Sequence, residues 1–365
     1  MKGYIDGKDF VEMEPMKYWS VPASQAASQQ EIIKNAIYSG DYMAALKVDG
    51  YYQRIVKDED GECFMIARSR NVKKEVVNKI EWLPQIKPWL AALPNGTSLL
   101  CECYLPGNEG SKNITTILGC LQEKAIKRQE NSPLHLYVFD CVAFKGKSLM
   151  KISYEERSEI VRQLSQSYPD PYIEYATYVK GADIWPQLQI YLAQGREGMV
   201  LMRKDAIVYE KRTPARVSIK VKKELAQTID AFVIGANPPT RIYTGKEVTT
   251  WPYWEDAKTG EKLQGDHYLA YSRGEAIEPV TKSYFNDWCG SWKLGLFKDG
   301  HVVHIGDVSG LTDEQKANWK SYLKKVVEIG GMEILPDTLN IRHPKLLQIR
   351  EDKNPRECLY SQLQE

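Results

Sequence analysis

Lys47 stands in the run Leu46-Lys47-Val48-Asp49-Gly50, two residues before an aspartate and three before a glycine that closes an apolar stretch beginning at Met43. An amine presented at the rim of a strand is well placed to act as a nucleophile. At neutral pH a lysine is protonated, with a reference pKa of about 10.4, so it needs cationic neighbours, a metal or desolvation to favour the free base. Further groups able to do chemistry follow in order. Leu100-Cys101-Glu102-Cys103-Tyr104 puts a carboxylate in an apolar run, and Tyr137-Val138-Phe139-Asp140 puts an aromatic beside an acid. Arg196-Glu197-Gly198-Met199-Val200 places a carboxylate at a strand entrance, and Ser218-Ile219-Lys220-Val221-Lys222 carries paired ammoniums. Arg350-Glu351-Asp352-Lys353 closes the series.

Each group needs an element to hold it. Ser28-Gln29-Gln30-Glu31 has the form of a capping box, and Ile32, Ile33, Ala36 and Ile37 recur at helical spacing up to Gly40, so a short helix precedes the lysine strand. Residues 51–56 and 63–67 are apolar or β-favouring, with Asp58-Glu59-Asp60-Gly61 as the turn of a hairpin. Strands are expected at 99–105, 134–142 and 198–202, and helices at 153–167 and 183–193. If 216–222 is a strand, its period of two puts Lys220 and Lys222 on one face. Beyond about Thr228 strands return at 229–235, 292–297 and 302–306, the last two joined by Lys298-Asp299-Gly300. A capped helix is expected from Thr312 to Gly330, with Gln315 completing its box, and the 237–265 stretch reads as a long loop.

The chain has 365 residues, 43% of them apolar and 27% charged, which indicates a globular protein with room for two cores. No stretch has the apolar length to span a bilayer and the amino terminus lacks a signal sequence, so a cytoplasmic protein is expected. The seven cysteines include no Cys-x-x-Cys pair, and Cys101 and Cys103 suit burial in a strand better than zinc. The net charge of +1 conceals three basic clusters. Arg203, Lys204, Lys211, Arg212, Arg216, Lys220, Lys222 and Lys223 form one, Arg68, Arg70, Lys73, Lys74 and Lys79 another, and the span from Arg342 to Arg356 the third. Acid-rich segments separate them, as along a track for a polyanion.

Taken in order, these motifs resemble the covalent nucleotidyltransferase superfamily of ATP-dependent DNA ligases, RNA ligases and messenger-RNA capping guanylyltransferases, and most closely the small two-domain DNA ligases. The resemblance runs from about Lys47 to Lys353. It implies an α+β fold: a nucleotidyltransferase domain of the ATP-grasp-like type, antiparallel sheets flanked by helices, over 1–228, and an OB-fold β-barrel over 229–365. It further implies that Lys47 forms a phosphoramide with AMP taken from ATP, with Asp49 in the same motif, that Glu102 contacts the ribose, and that Phe139 stacks on the purine. Glu197, with Glu102, would bind Mg2+; Lys220 and Lys222 would grip the α-phosphate; Arg70 would reach nucleic-acid phosphate; Arg350 and Lys353, with Asp352, would orient pyrophosphate. The family's first motif places arginine two residues after the glycine, where this chain has Tyr52, and Arg54 is the candidate to replace it. The expected substrate is nicked duplex DNA, in replication, repair or recombination, and the expected state a monomer without a membrane partner. An RNA ligase, a capping enzyme and a non-catalytic nucleic-acid clamp are the alternatives.

Overall fold

The computed structural model describes residues 2–14, 16, 18–20, 33–68, 75–107, 111–210, 213–222, 228–245, 247–335 and 338–363. Arg70 and the Ser28 to Glu31 capping box lie outside these residues. The chain divides into two compact units, Met1–Lys223 and Glu224–Glu365. No helix among the described residues is long and apolar enough to cross a membrane.

Two large sheets build the first unit, beside a small antiparallel pair of Tyr4–Ile5 and Lys8–Asp9. The larger contains β1, Tyr51–Lys57; β2, Cys63–Ala67; β3, Thr97–Tyr104; β4, His135–Phe144; and β5, Ile173–Tyr175, in the spatial order β5-β4-β3-β1-β2, with Lys147–Ser148 paired to β4. All pairings are antiparallel except β5 with β4. The second sheet is formed by Val179–Lys180, Tyr42–Lys47, Gly198–Arg203, Ser218–Lys222 and Trp19–Ser20, in that order. The expected hairpin is present, with β1 and β2 joined through the turn at 58–61.

Period-two alternation in β3 decides which groups face which core. Leu99, Cys101 and Cys103 enter the core shared with Val161 and Leu164 of the helix α1, Tyr154–Ser167, whereas Leu100 joins a second cluster with Tyr52, Ile66 and Val142. Glu102 therefore faces away from the helix-covered core. All seven cysteines are reduced, and Cys101 and Cys103 are fully buried. On the second sheet, Ile33 and Ile37 of the helical residues 33–38, with Ile184 and Leu188 of α2, Ile184–Ala193, cover Met199, Leu201, Ile219 and Val221. Helix α1 starts where Ser153 accepts from the Glu156 backbone amide and the Glu156 carboxylate accepts in return.

Asp140, beside Phe139, is structural. Its carboxylate accepts from Arg157 Nε at 2.8 Å and Nη2 at 3.1 Å, and the Arg157 side chain is wholly buried. Burial opposes the guanidinium charge, but Asp140 outweighs it and raises the arginine pKa. Arg157→Ala strands a carboxylate in the core and is expected to cost about 3–5 kcal/mol of unfolding free energy in urea titration. A loss under about 1 kcal/mol would mean water relieves the site.

The second unit is built on a five-stranded antiparallel sheet, beside which Glu333–Ile334 pairs with Ile341–Arg342. Its strands are β6, Ile229–Asn237; β10, Ser291–Lys298; β11, His301–Val308; β12, Val326–Gly330; and β13, Lys345–Arg350, ordered β11-β10-β6-β12-β13. A parallel bridge between Ser309 and Lys345 joins the ends of the two outer strands. Asp299 and Gly300 both take positive φ, the I′ geometry that an Asp-Gly hairpin turn requires. Two expectations are corrected. The helix from Thr312 keeps its capping box but lasts only over Asp313–Ala317, because Val326, Val327 and Ile329 are β-branched and enter the sheet. The 237–265 loop is part of a longer folded insertion up to Gly290, with its own sheet of β7, Tyr253–Asp256; β8, Lys262–Gln264; and β9, Ile277–Pro279. Its aromatics pack inward: Trp254 is fully buried near His267 and Tyr271, and Trp251 stacks on Tyr243 at 3.6 Å.

Candidate functional site

Lys47 is the last residue of its strand and pairs with Gly198, which pairs on its other side with Lys222. Three positions thus stand abreast, and the middle one has no side chain. Gly198 has φ +140, and a Cβ there would lie 2.0 Å from the Val221 carbonyl, so only glycine allows this close approach. The preceding residue, Glu197, places its carboxylate between the two ammoniums: one oxygen bonds Lys47 Nζ and the other lies 2.9 Å from Lys222 Nζ. Glu197 is only 5% exposed. Burial resists its ionisation, but Lys47 and then Lys222 prevail and hold the carboxyl below its ordinary value.

Lys220 lies two residues before Lys222 on the same strand face, 5.8 Å from the Tyr18 ring centre. Burial lowers its pKa, and the like charges of Lys47, Lys222 and Arg68 lower it further. Glu197 opposes this, and an anion entering here would meet the Lys220 ammonium.

The link Val48 to Gly50 carries the chain from one sheet to the other. Gly50 packs on Glu102, where a Cβ would sit 2.5 Å from both Glu102 Cγ and the Cys103 carbonyl. Between the sheets lies a cavity of about 370 Å³, within the range of small-molecule sites. Its lining includes Lys47 and Lys220 from one side, Glu102 and Phe139 from the other, with Tyr18, Tyr52, Tyr137 and Arg68. Burial pushes the Glu102 carboxyl up to about 7; Lys47 and Arg68 oppose this, while Glu197 and Asp49 add to it. In the unfolded chain this group ionises near 4.5, so the folded state binds the extra proton between about 4.5 and 7. Stability is therefore expected to fall as pH rises through that window. Chemical denaturation at several pH values checks it: Glu102→Gln should flatten the slope, and an unchanged slope would assign the effect elsewhere.

The structure brings Lys47, Glu102, Phe139, Glu197, Lys220 and Lys222 into one neighbourhood. Asp49 lies in the link and is not a lining residue, though it acts electrostatically on Glu102. Arg54 is directed elsewhere: it is 3% exposed and its guanidinium bonds the carbonyls of Val11 (2.6 Å) and Met13, so it does not line the cavity. A side chain two residues from Tyr52 shares its face, but here the amino-terminal segment caps that position. Arg350 and Lys353 are held within the second unit. Arg350 is bidentate to Asp352 at 2.9 and 2.8 Å and reaches Asp230 at 3.4 Å, and Lys353 bonds Asp230. Arg68, Tyr18 and Tyr137 were not singled out from the sequence as site residues. The hairpin register, fixed by its turn, carried the signal for Arg68; nothing local marked the tyrosines.

Among the described residues no three His, Cys, Asp or Glu side chains gather as a metal cage. Glu102 and Glu197 influence each other electrostatically, and two such carboxylates suit a magnesium ion that takes its remaining ligands from water and substrate phosphates.

The family model described as ATP dependent DNA ligase domain matches residues 22–222. The DNA ligase of vaccinia virus (strain Western Reserve) is 25% identical over 354 residues, covering 87% of this chain and 57% of that protein. The DNA ligase of Methanothrix thermoacetophila is 26% identical over 357 residues, covering 90% and 55%. The chain thus spans little more than half the length of these curated relatives. A solved structure from work on Lig E DNA ligases superposes with a TM-score of 0.55 at 14% identity, covering 93% of this chain and 98% of that one, which shows a shared fold.

Proposed function

Since the chain belongs to the ATP-dependent DNA ligase family, we propose that it seals 5′-phosphate/3′-hydroxyl nicks in duplex DNA, taking AMP from ATP. The supporting observation is the placement of Lys47, lining a cavity of small-molecule size, held by Glu197 and on the same wall as the half-buried Lys220. In the first step Lys47 Nζ attacks the α-phosphorus, a P–N bond forms, and the P–O bond to pyrophosphate breaks. The attacking amine must first be unprotonated, and the Glu197 carboxylate is the acceptor already in contact with it. Lys220 and Lys222 meet the charge that gathers on the non-bridging oxygens, where fixed cations in a partly dry site act most strongly. In the second step AMP passes from Lys47 to the 5′-phosphate at the nick; in the third the 3′-hydroxyl attacks that phosphate and AMP leaves.

Phe139 would stack on the adenine and Glu102 would hold the ribose. Glu197 and Glu102 would hold magnesium, which neutralises phosphate charge when bound. Residues 1–228 would be the adenylation domain, a reading supported by the compact unit that ends at Lys223. The second would be an OB-type barrel, a reading supported by its five antiparallel strands and the Ser309–Lys345 bridge. Arg350 and Lys353 would orient pyrophosphate and Arg70 would bind phosphate near the reacting ends. The protein would act as a monomer in a DNA-containing compartment, the cytoplasm of a bacterium or an infected cell.

Labelled ATP or GTP, followed by a nicked DNA duplex, tests this reading. Transfer of AMP to the 5′-phosphate and sealing are expected, with binding that weakens steeply as salt rises. Transfer from GTP alone, or sealing confined to RNA, would replace it with a capping enzyme or an RNA ligase.

A further inference from the structure

Three residues stand abreast on the sheet face that closes the cavity. Tyr52 pairs with Glu102 on one side, and on the other the pairing of Gln53 with Ala67 brings Arg68, just past the end of β2, opposite Tyr52. The Arg68 guanidinium lies over the Tyr52 ring, 5.0 Å from its centre. Tyr52 is itself buried and set beside Phe139, with ring centres 6.5 Å apart, so the platform under the guanidinium is fixed by packing. Arg68 is exposed on its outer side and lines the cavity within. Its charge acts on Glu102 of its own sheet and on Lys220 of the other.

We propose that Arg68 is a phosphate-binding residue of this site, held in place by Tyr52 as a positioning residue. The inference rests on the nucleotidyl-transfer reading and assigns a residue that the reading does not use. A guanidinium stacked on an aromatic keeps its N–H edges free for a planar oxyanion and loses little conformational entropy on binding one. The Arg54 guanidinium is taken up by the carbonyls of Val11 and Met13 and does not line the cavity, and Arg68 brings a guanidinium to it from the neighbouring strand. The phosphate is that of the bound nucleotide or the 5′-phosphate of the nick; both offer the same oxygens.

Two separated steps distinguish the sources. Full-length wild type, Arg68→Ala, Arg68→Lys, Tyr52→Phe and Tyr52→Leu are first labelled with ATP radioactive at the α-phosphate. Each adenylated protein is then given nicked duplex carrying either a 5′-phosphate or a 5′-hydroxyl, without ATP. Arg68→Ala is expected to slow one step roughly ten- to hundredfold, with Lys restoring only part because it lacks the planar fork. A loss in labelling through a raised KM for ATP identifies the nucleotide. Slower transfer to the 5′-phosphate nick, together with lost preference for binding it over the 5′-hydroxyl duplex, identifies the nick. Tyr52→Phe, which keeps the ring, should retain more than Tyr52→Leu. Both steps within threefold of wild type in Arg68→Ala would overturn the proposal while leaving the ligase reading intact. Wild-type protein that takes no label would sink that reading, and this inference with it.

Discussion

Lys47→Ala is expected to take no label from ATP radioactive at the α-phosphate and to seal no nicks, a loss down to background. The size of the effect follows from chemistry rather than from stability. Without the amine no P–N bond can form, and nothing else in the site substitutes: Lys220 and Lys222 sit on a strand separated from Lys47 by the Gly198 strand. Lys47 is at a strand end with its side chain partly exposed, so truncation removes little packing. Because Lys47 is one of the two cations paired with the buried Glu197, some stability goes with it, so labelling is read on protein shown by circular dichroism to be folded, which separates loss of the nucleophile from loss of the fold. The same variant offered a duplex already adenylated at the 5′-phosphate should still seal, because that step does not pass through the lysine. Persistent covalent labelling of Lys47→Ala would remove the lysine from the reaction.

Glu197→Ala is expected to slow adenylation by about two to three orders of magnitude, the range seen when a preorganised charged group is removed from a reacting site. Glu197 holds Lys47 and Lys222 together, and its deletion leaves two ammoniums facing each other with no anion between them. Lys47 then loses both its orientation and the nearest acceptor for its proton. Glu197→Gln keeps the shape and one hydrogen bond but not the charge, so it should fall with Ala rather than with wild type. The carboxyl is held below its ordinary value by those lysines, so it contributes stability above about pH 4.5 that is lost as pH falls through the folded value. At neutral pH the Gln variant should therefore be less stable as well as slow, and rapid-quench labelling of folded protein isolates the rate. A labelling rate within threefold of wild type would leave Glu197 a structural role only.

Much of the site was legible because its residues sit on strands whose patterns are strong. Glu102 stood out as a carboxylate in an apolar run, and Cys101 and Cys103 as strand residues suited to burial; the strand's period of two is what turns Glu102 to the other face. Lys220 and Lys222 shared a face for the same reason. Arg54 was misjudged because same-face logic says nothing of what covers the face: the amino-terminal segment through Val11 and Met13 takes its guanidinium. Arg68 was hidden in a basic cluster, since only strand register tells which of several nearby cations reaches a cavity. In the second unit the Thr312 box marked a helix start truthfully, but capping fixes no length, and β-branched residues claimed the next segment. The insertion looked like a loop because strands of three or four residues carry too little periodicity to be read.

The most direct measurement is peptide mapping of full-length protein after incubation with ATP and magnesium. One AMP per chain should be gained, carried by the peptide containing Lys47 and discharged again by added pyrophosphate. An adduct on Lys220, Lys222 or any other residue, or no adduct at all, would contradict the account.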